Sequence, residues 1–156
     1  MPLFRKRHAR PLTPGETAMA RLVFGDAIDY PKVAVHACAY LPFGLQPRRT
    51  AMAPNGHLYF PRACFQDDFS VCDLGNRMWF IHEMTHVWQT QARGRFYLPL
   101  MRHPFCRYSY ELTPGKPFDR YGLEQQAEIV THVFLAGRGV RLAQVPPKEL
   151  LPFAIV

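Results

Sequence analysis

A chain of 156 residues, 48% hydrophobic and 20% charged, can bury the core of one domain without disulfide staples. Its 13% aromatic content excludes a disordered chain, and no apolar run approaches the length of a membrane span. The formal net charge is +7, carried in part by Arg5, Lys6, Arg7 and Arg10. No aromatic-interleaved nucleic-acid module accompanies them, so residues 1–12 read as a flexible basic arm and nucleic acid is not an expected partner.

Residues 13–156 then read as a single domain. No apolar segment of signal-peptide type follows the charged start, which points to synthesis in the cytoplasm without an ordinary secretory signal. Cys38, Cys64, Cys72 and Cys106 show no C-x-x-C spacing and are expected as free thiols.

Thr13-Pro14-Gly15-Glu16 is a helix start: a capping threonine, proline at the first helical position and glutamate to complete a capping box. That helix runs to about Phe24 and stops at Gly25. Lys32 to Tyr40 alternates and predicts a strand. Thr50–Ala53 and His57–Phe60 flank Asn55-Gly56, a hairpin signal. A small antiparallel sheet is therefore expected before the middle of the chain. Asp73 to about Arg93 is the clearest helix, with Gly94 as its stop. Arg95 to Gly122, rich in Pro, Tyr and Arg, predicts a long ordered loop. Leu123 to about Ala136 predicts a last helix ended by Gly137, and residues 140–156 form an apolar, proline-broken tail expected to pack on the core.

His82-Glu83-Met84-Thr85-His86 lies inside the long helix and has the form H-E-x-x-H. Residues four apart share a helical face, so His82 and His86 can bind one metal ion. Glu83 borders that face and can serve as a base toward water beside the metal. Two neutral imidazoles and an adjacent carboxylate are what zinc-dependent peptide hydrolysis requires. Met78, Trp79, Phe80, Ile81, Met84, Val87 and Trp88 surround the motif, which marks a buried helix whose polar groups need partners.

Zinc in a catalytic site takes a third protein ligand. Glu124 and Glu128 stand one helical turn apart at the start of the last helix and both can face the motif. His103 and His132 are further candidates, and His132, four residues beyond Glu128, can instead hydrogen-bond it. Glu124-x-x-Ala127-Glu128 resembles the pattern of zincins whose third ligand is a glutamate. That resemblance implies Glu124 as ligand and Glu128 as the carboxylate supporting His82 from behind. It also implies a zincin-like α+β fold: a small antiparallel sheet packed on the H-E-x-x-H helix, with two further helices. Tyr121, close before the ligand helix, is a candidate oxyanion donor, with Tyr108 and Tyr110 in the preceding loop as others. The hairpin upstream of the long helix is expected to line the substrate cleft.

A narrower resemblance rests on Thr13–Glu16, Phe24–Tyr30, Ile81–Gln89 and Tyr121–Glu128. These stretches look like a bacterial family of small metallopeptidase-like proteins related to VgrG, the spike of the type VI secretion system. It implies a peptide or protein substrate, a VgrG-type spike or an immunity protein as partner, and export through a contractile secretion system. No spike domain is visible in the sequence, so the expected role is a free-standing effector or accessory. The competing reading is a non-enzymatic adaptor of a contractile injection system with a structural zinc. Glu83 argues against it, since a structural site needs no base.

Overall fold

The computed structural model describes residues 9–103 and 105–153. Regular structure occurs within the stretch expected to be a flexible arm. Ala9–Pro11 forms a strand, β1, where a flexible arm was expected through residue 12; residues 1–8 of that arm lie outside the described residues. The reason is a charge pair. Arg10 donates from both guanidinium nitrogens to the Glu16 carboxylate, each at 2.8 Å, and Glu16 is fully buried. The same carboxylate accepts from the Thr13 and Phe69 backbone amides, both at 2.9 Å.

Glu16 thereby completes the capping box that starts helix α1, Pro14–Phe24, with Thr13 Oγ1 accepting from the Glu16 amide at 3.0 Å. Gly25, at φ 53°, ends it in a conformation that side chains resist. Gly15 has no room for a side chain, because a Cβ there would lie 2.2 Å from Ser70 Oγ. So α1 docks closely on the 3₁₀ turn Phe69–Val71.

The predicted strand over Lys32–Tyr40 contracts to β2, Ala34–His36. Tyr30–Lys32 is a 3₁₀ turn started by Pro31, and the Tyr40 amide bonds Gln46 Oε1 at 2.6 Å, not a neighbouring strand. The hairpin is likewise reduced. Its arms meet in one antiparallel bridge, Met52 with Tyr59, because a turn from Pro47 to Thr50 takes up the start of the first arm. The second arm contributes β3, Leu58–Tyr59. The sheet order is β1-β2-β3, with β1 antiparallel and β3 parallel to β2. The expected all-antiparallel sheet is thus a mixed one, since the chain makes a long excursion between β2 and β3.

Helix α2, Leu74–Arg93, is capped by Asp73 Oδ1 on the Asn76 amide at 3.0 Å and ends at Gly94. Helix α4, Leu123–Ala136, packs on α2 more extensively than on any other element. Phe60, Phe69 and Phe80 stack through the core, and Phe153 of the tail packs against Trp88 with ring centroids 4.9 Å apart. The loop expected over Arg95–Gly122 contains a short helix, α3, Tyr97–Met101, and a 3₁₀ turn, Phe118–Arg120. α3 buries Leu98 against the end of α2, a single apolar anchor that gives no periodic signal. The four cysteines are free thiols. No helix among the described residues is long and apolar enough to cross a membrane.

Candidate metal centre

Two neighbouring buried helices supply the site. α2 carries His82 and His86 one turn apart on the face turned to α4, with ring centroids 5.2 Å apart. α4 answers with Glu124 in its first turn, 1% exposed. Glu124 Oε2 lies 3.3 Å from His82 Nε2 and 3.1 Å from His86 Nε2. The three side chains bring their ligand atoms within 4.8 Å of one another.

Each ring is oriented from behind. His86 Nδ1 faces Gln89 Oε1 at 2.8 Å. The Gln89 amide nitrogen donates to Leu123 O at 3.0 Å and to Gln126 Oε1 at 2.9 Å. With its donors spent on α4, Gln89 can only accept from His86, so that ring carries its proton on Nδ1. His82 Nδ1 faces Glu128 Oε1 at 3.2 Å, and a carboxylate is likewise an acceptor. In the neutral rings both Nε2 lone pairs therefore converge on the Glu124 oxygen. Three acceptors meet with no proton among them, an arrangement that a cation resolves. Two imidazole nitrogens and one carboxylate oxygen form a donor set suited to zinc.

Without a metal, a proton on His82 takes the cation's place. Burial disfavours charge on His82, but the Glu124 and Glu128 carboxylates outweigh it and hold its pKa up at about 10 without a metal. Burial likewise opposes charge on Glu124, and the two imidazoles and Arg102 overcome it, holding the carboxyl well below the usual range. Arg102 Nη2 approaches Glu124 Oε1 to 3.3 Å, yet without hydrogen-bond geometry, so that oxygen has no hydrogen-bond partner among the described residues. Glu83, 5% exposed, also keeps one oxygen, Oε2, buried without a hydrogen-bond partner among them. Buried carboxylate oxygens in that condition are costly unless something else occupies the site.

Glu83 and His82 open on a cleft of about 300 Å³. Trp79 and Met78 give it an apolar wall, Thr50 and Ala51 form one lip, and Arg102 and Tyr108 form another. The lip comes from the first arm of the hairpin; the expected His57–Phe60 arm does not reach the cleft. Tyr121 does not reach it either. Its hydroxyl accepts from the Thr113 amide at 3.2 Å and faces Glu111 O at 3.4 Å, and its ring borders a separate cavity beyond Glu124. The tyrosine of the cleft is Tyr108, whose ring lies near-parallel to His82 at 6.2 Å. His103 caps the Phe105 amide in the loop and borders that second cavity. His132 stands in the cleft wall beside Glu128.

The same arrangement of elements occurs in a solved structure, the effector domain of Pseudomonas aeruginosa VgrG2b. The two superpose with a TM-score of 0.71 at 39% identity, over 83% of this chain and 75% of that one. This chain belongs to the VgrG2b effector-domain family. The curated type VI secretion system spike protein VgrG2b of P. aeruginosa is 41% identical over 134 residues, 81% of this chain. The chain spans only 13% of that spike protein's length. No protein-family model matches the chain.

Relative to the site expected from the motif, the structure adds Gln89 and Arg102, and of the three candidate tyrosines it brings Tyr108 to the cleft. Gln89 carried a findable signal, since it lies three residues after His86 on the metal face. Arg102 comes from a non-periodic loop and carried none.

Proposed function

We propose that this protein is a zinc-dependent peptidase of the zincin type, acting as a type VI secretion effector in the manner its relationship to the VgrG2b effector domain suggests. One observation carries the reading: His82, His86 and Glu124 bring three ligand atoms within 4.8 Å of one another, and His82 also lines an open cleft together with Glu83, whose buried Oε2 has no hydrogen-bond partner among the described residues. His82, His86 and Glu124 would hold the metal. Zinc, when bound there, supplies the Lewis acidity that activates water and polarises the scissile carbonyl.

The remaining work falls to the chain. An extended peptide lies along the Thr50–Ala51 lip. Trp79 and Met78 receive an apolar side chain and exclude water. Glu83 Oε2 takes the proton of the attacking water and returns it to the leaving amine. Tyr108 donates its hydroxyl to the carbonyl oxygen as negative charge develops, in place of the expected Tyr121. Gln89 and Glu128 hold the two imidazoles with their Nε2 lone pairs forward.

Elemental analysis with hydrolysis of an unfolded protein tests this, on wild type and Glu83→Gln. The expected result is one zinc in both and hydrolysis in wild type alone. Zinc without hydrolysis in wild type favours the non-enzymatic adaptor; no zinc after reconstitution overturns the metal reading.

A further inference from the structure

Glu128 is the least secured member of the site. Glu124 is clamped between two imidazoles, and Gln89 has three partners. Glu128 stands at the cleft wall with its side chain 30% exposed, and toward the site it meets His82 alone among the described residues. A loose glutamate cannot fix a ring. Behind it, one turn further along α4, stands His132, whose Nε2 lies 3.8 Å from Glu128 Oε2. That is within ion-pair reach, though long for a hydrogen bond. The Tyr110 hydroxyl hydrogen-bonds the opposite ring nitrogen, His132 Nδ1.

Resting on the peptidase reading above, the geometry points to Tyr110 and His132 as positioning residues: they hold Glu128 against His82 and so fix the ring nitrogen that His82 presents to the metal. The sense of the chain follows from what each group can do. Burial pushes the Tyr110 hydroxyl well above its ordinary pKa, so it stays a donor. Donation to Nδ1 leaves the neutral His132 ring with its proton on Nε2, facing Glu128. The Glu128 carboxylate only accepts. Its Oε2 faces the His132 N–H at 3.8 Å, an electrostatic contact and not a hydrogen bond, and its Oε1 faces His82 Nδ1 at 3.2 Å. His82 is left with its Nε2 lone pair directed at Glu124 Oε2.

The far end is rigid. Tyr110 is 7% exposed, sets its ring edge-on to Tyr121 at 6.2 Å, and its carbonyl accepts from Gln144 Nε2 at 2.8 Å. Rigidity from the core is thereby passed to a carboxylate at the surface of a cleft.

Zinc affinity, measured by competition with a chromophoric chelator, decides the matter alongside kcat and KM on an unfolded-protein substrate. Tyr110→Phe keeps the ring and removes only the hydroxyl, so it leaves the fold intact. It is expected to weaken zinc binding roughly 3- to 10-fold, and His132→Ala roughly 10-fold, at the low end for groups acting behind a ligand. His132→Gln, which restores an N–H toward Glu128, recovers part of that loss. The double variant is expected to bind no worse than His132→Ala alone, since the two act in series. Additive losses overturn the chain, as does unchanged affinity in both single variants. Unchanged affinity with a raised KM in His132→Ala would make His132 a substrate contact instead. Wild type that binds no zinc overturns the peptidase reading itself, a result distinct from any of these.

Discussion

Gln89 Oε1 accepts from His86 Nδ1 at 2.8 Å, while the amide nitrogen of the same side chain is committed to α4 through Leu123 O and Gln126. One residue thus both couples the two site helices and selects the histidine tautomer. Gln89→Ala is expected to lower zinc affinity about 10- to 100-fold. It also leaves buried acceptors on α4 short of a donor, at a cost of about 1–3 kcal/mol. Chelator competition and urea unfolding measure the two effects separately.

Glu124 and Glu128 share a helical face, and the structure gives them different company. Glu124 meets both Nε2 atoms; Glu128 meets the Nδ1 of His82 and, on its other side, His132. Glu124→Ala is expected to leave no tightly bound zinc and no hydrolysis. Glu128→Ala is expected to keep zinc with affinity reduced about 10- to 100-fold. Full zinc in Glu124→Ala beside none in Glu128→Ala would exchange their roles.

The metal-free protein carries its own pH signature. His82 is raised from 6.5 to about 10. Its contribution to stability is fully present below the unfolded value and is lost as pH rises from 6.5 through about 10. Glu124 is depressed below 4.5, so its contribution is present above that value and is lost as pH falls below it. The chelated protein is therefore expected to be most thermostable between about pH 4.5 and 6.5. Zinc must displace the His82 proton, so its apparent affinity rises with pH across the neutral range. Melting curves with and without chelator from pH 4 to 10 check both trends; metal-free stability that rises from neutrality toward pH 9 contradicts the cluster described here.

The parts legible in the sequence were those written in local code. Thr13 with Glu16, and Asp73 with Gly94, mark helix ends by short-range bonds, and α1, α2 and α4 have the expected bounds to within a residue. Helical spacing put His82 and His86 on one face; it left Glu124 and Glu128 open as the carboxylate opposite them, and only the resemblance favoured Glu124. What depended on distant partners was not legible. Arg10 is drawn into a strand by Glu16 and Gln66, β3 pairs with β2 from across a long excursion, and Arg102 reaches the cleft from a loop without periodicity.

Tyr108 and Tyr121 can be separated by one deletion each. Tyr108→Phe removes a hydroxyl at the cleft and is expected to lower kcat roughly 100-fold with zinc content unchanged. Tyr121→Phe removes a hydroxyl bonded to the loop backbone. It is expected to leave kcat unchanged and cost about 1 kcal/mol of stability. Equal kcat in wild type and Tyr108→Phe would remove Tyr108 from the mechanism.

The Arg10–Glu16 pair is not part of the candidate metal centre and gives a test of the fold alone. Glu16 is fully buried and Arg10 has 14% of its side chain exposed. Four donors converge on the Glu16 carboxylate: two from Arg10, and the Thr13 and Phe69 amides. Glu16→Ala strands a nearly buried guanidinium and leaves the Phe69 amide unpaired. The expected loss is about 3–5 kcal/mol, a large share of the roughly 5–15 kcal/mol that holds a domain together. Replacing both partners, Arg10→Met with Glu16→Leu, removes the stranded charge and is expected to cost less than Glu16→Ala alone. Urea unfolding in the presence of chelator measures this without a contribution from zinc. A Glu16→Ala loss below about 1 kcal/mol, the range of an exposed pair, would show that the carboxylate is not the link joining β1, α1 and the Phe69 turn.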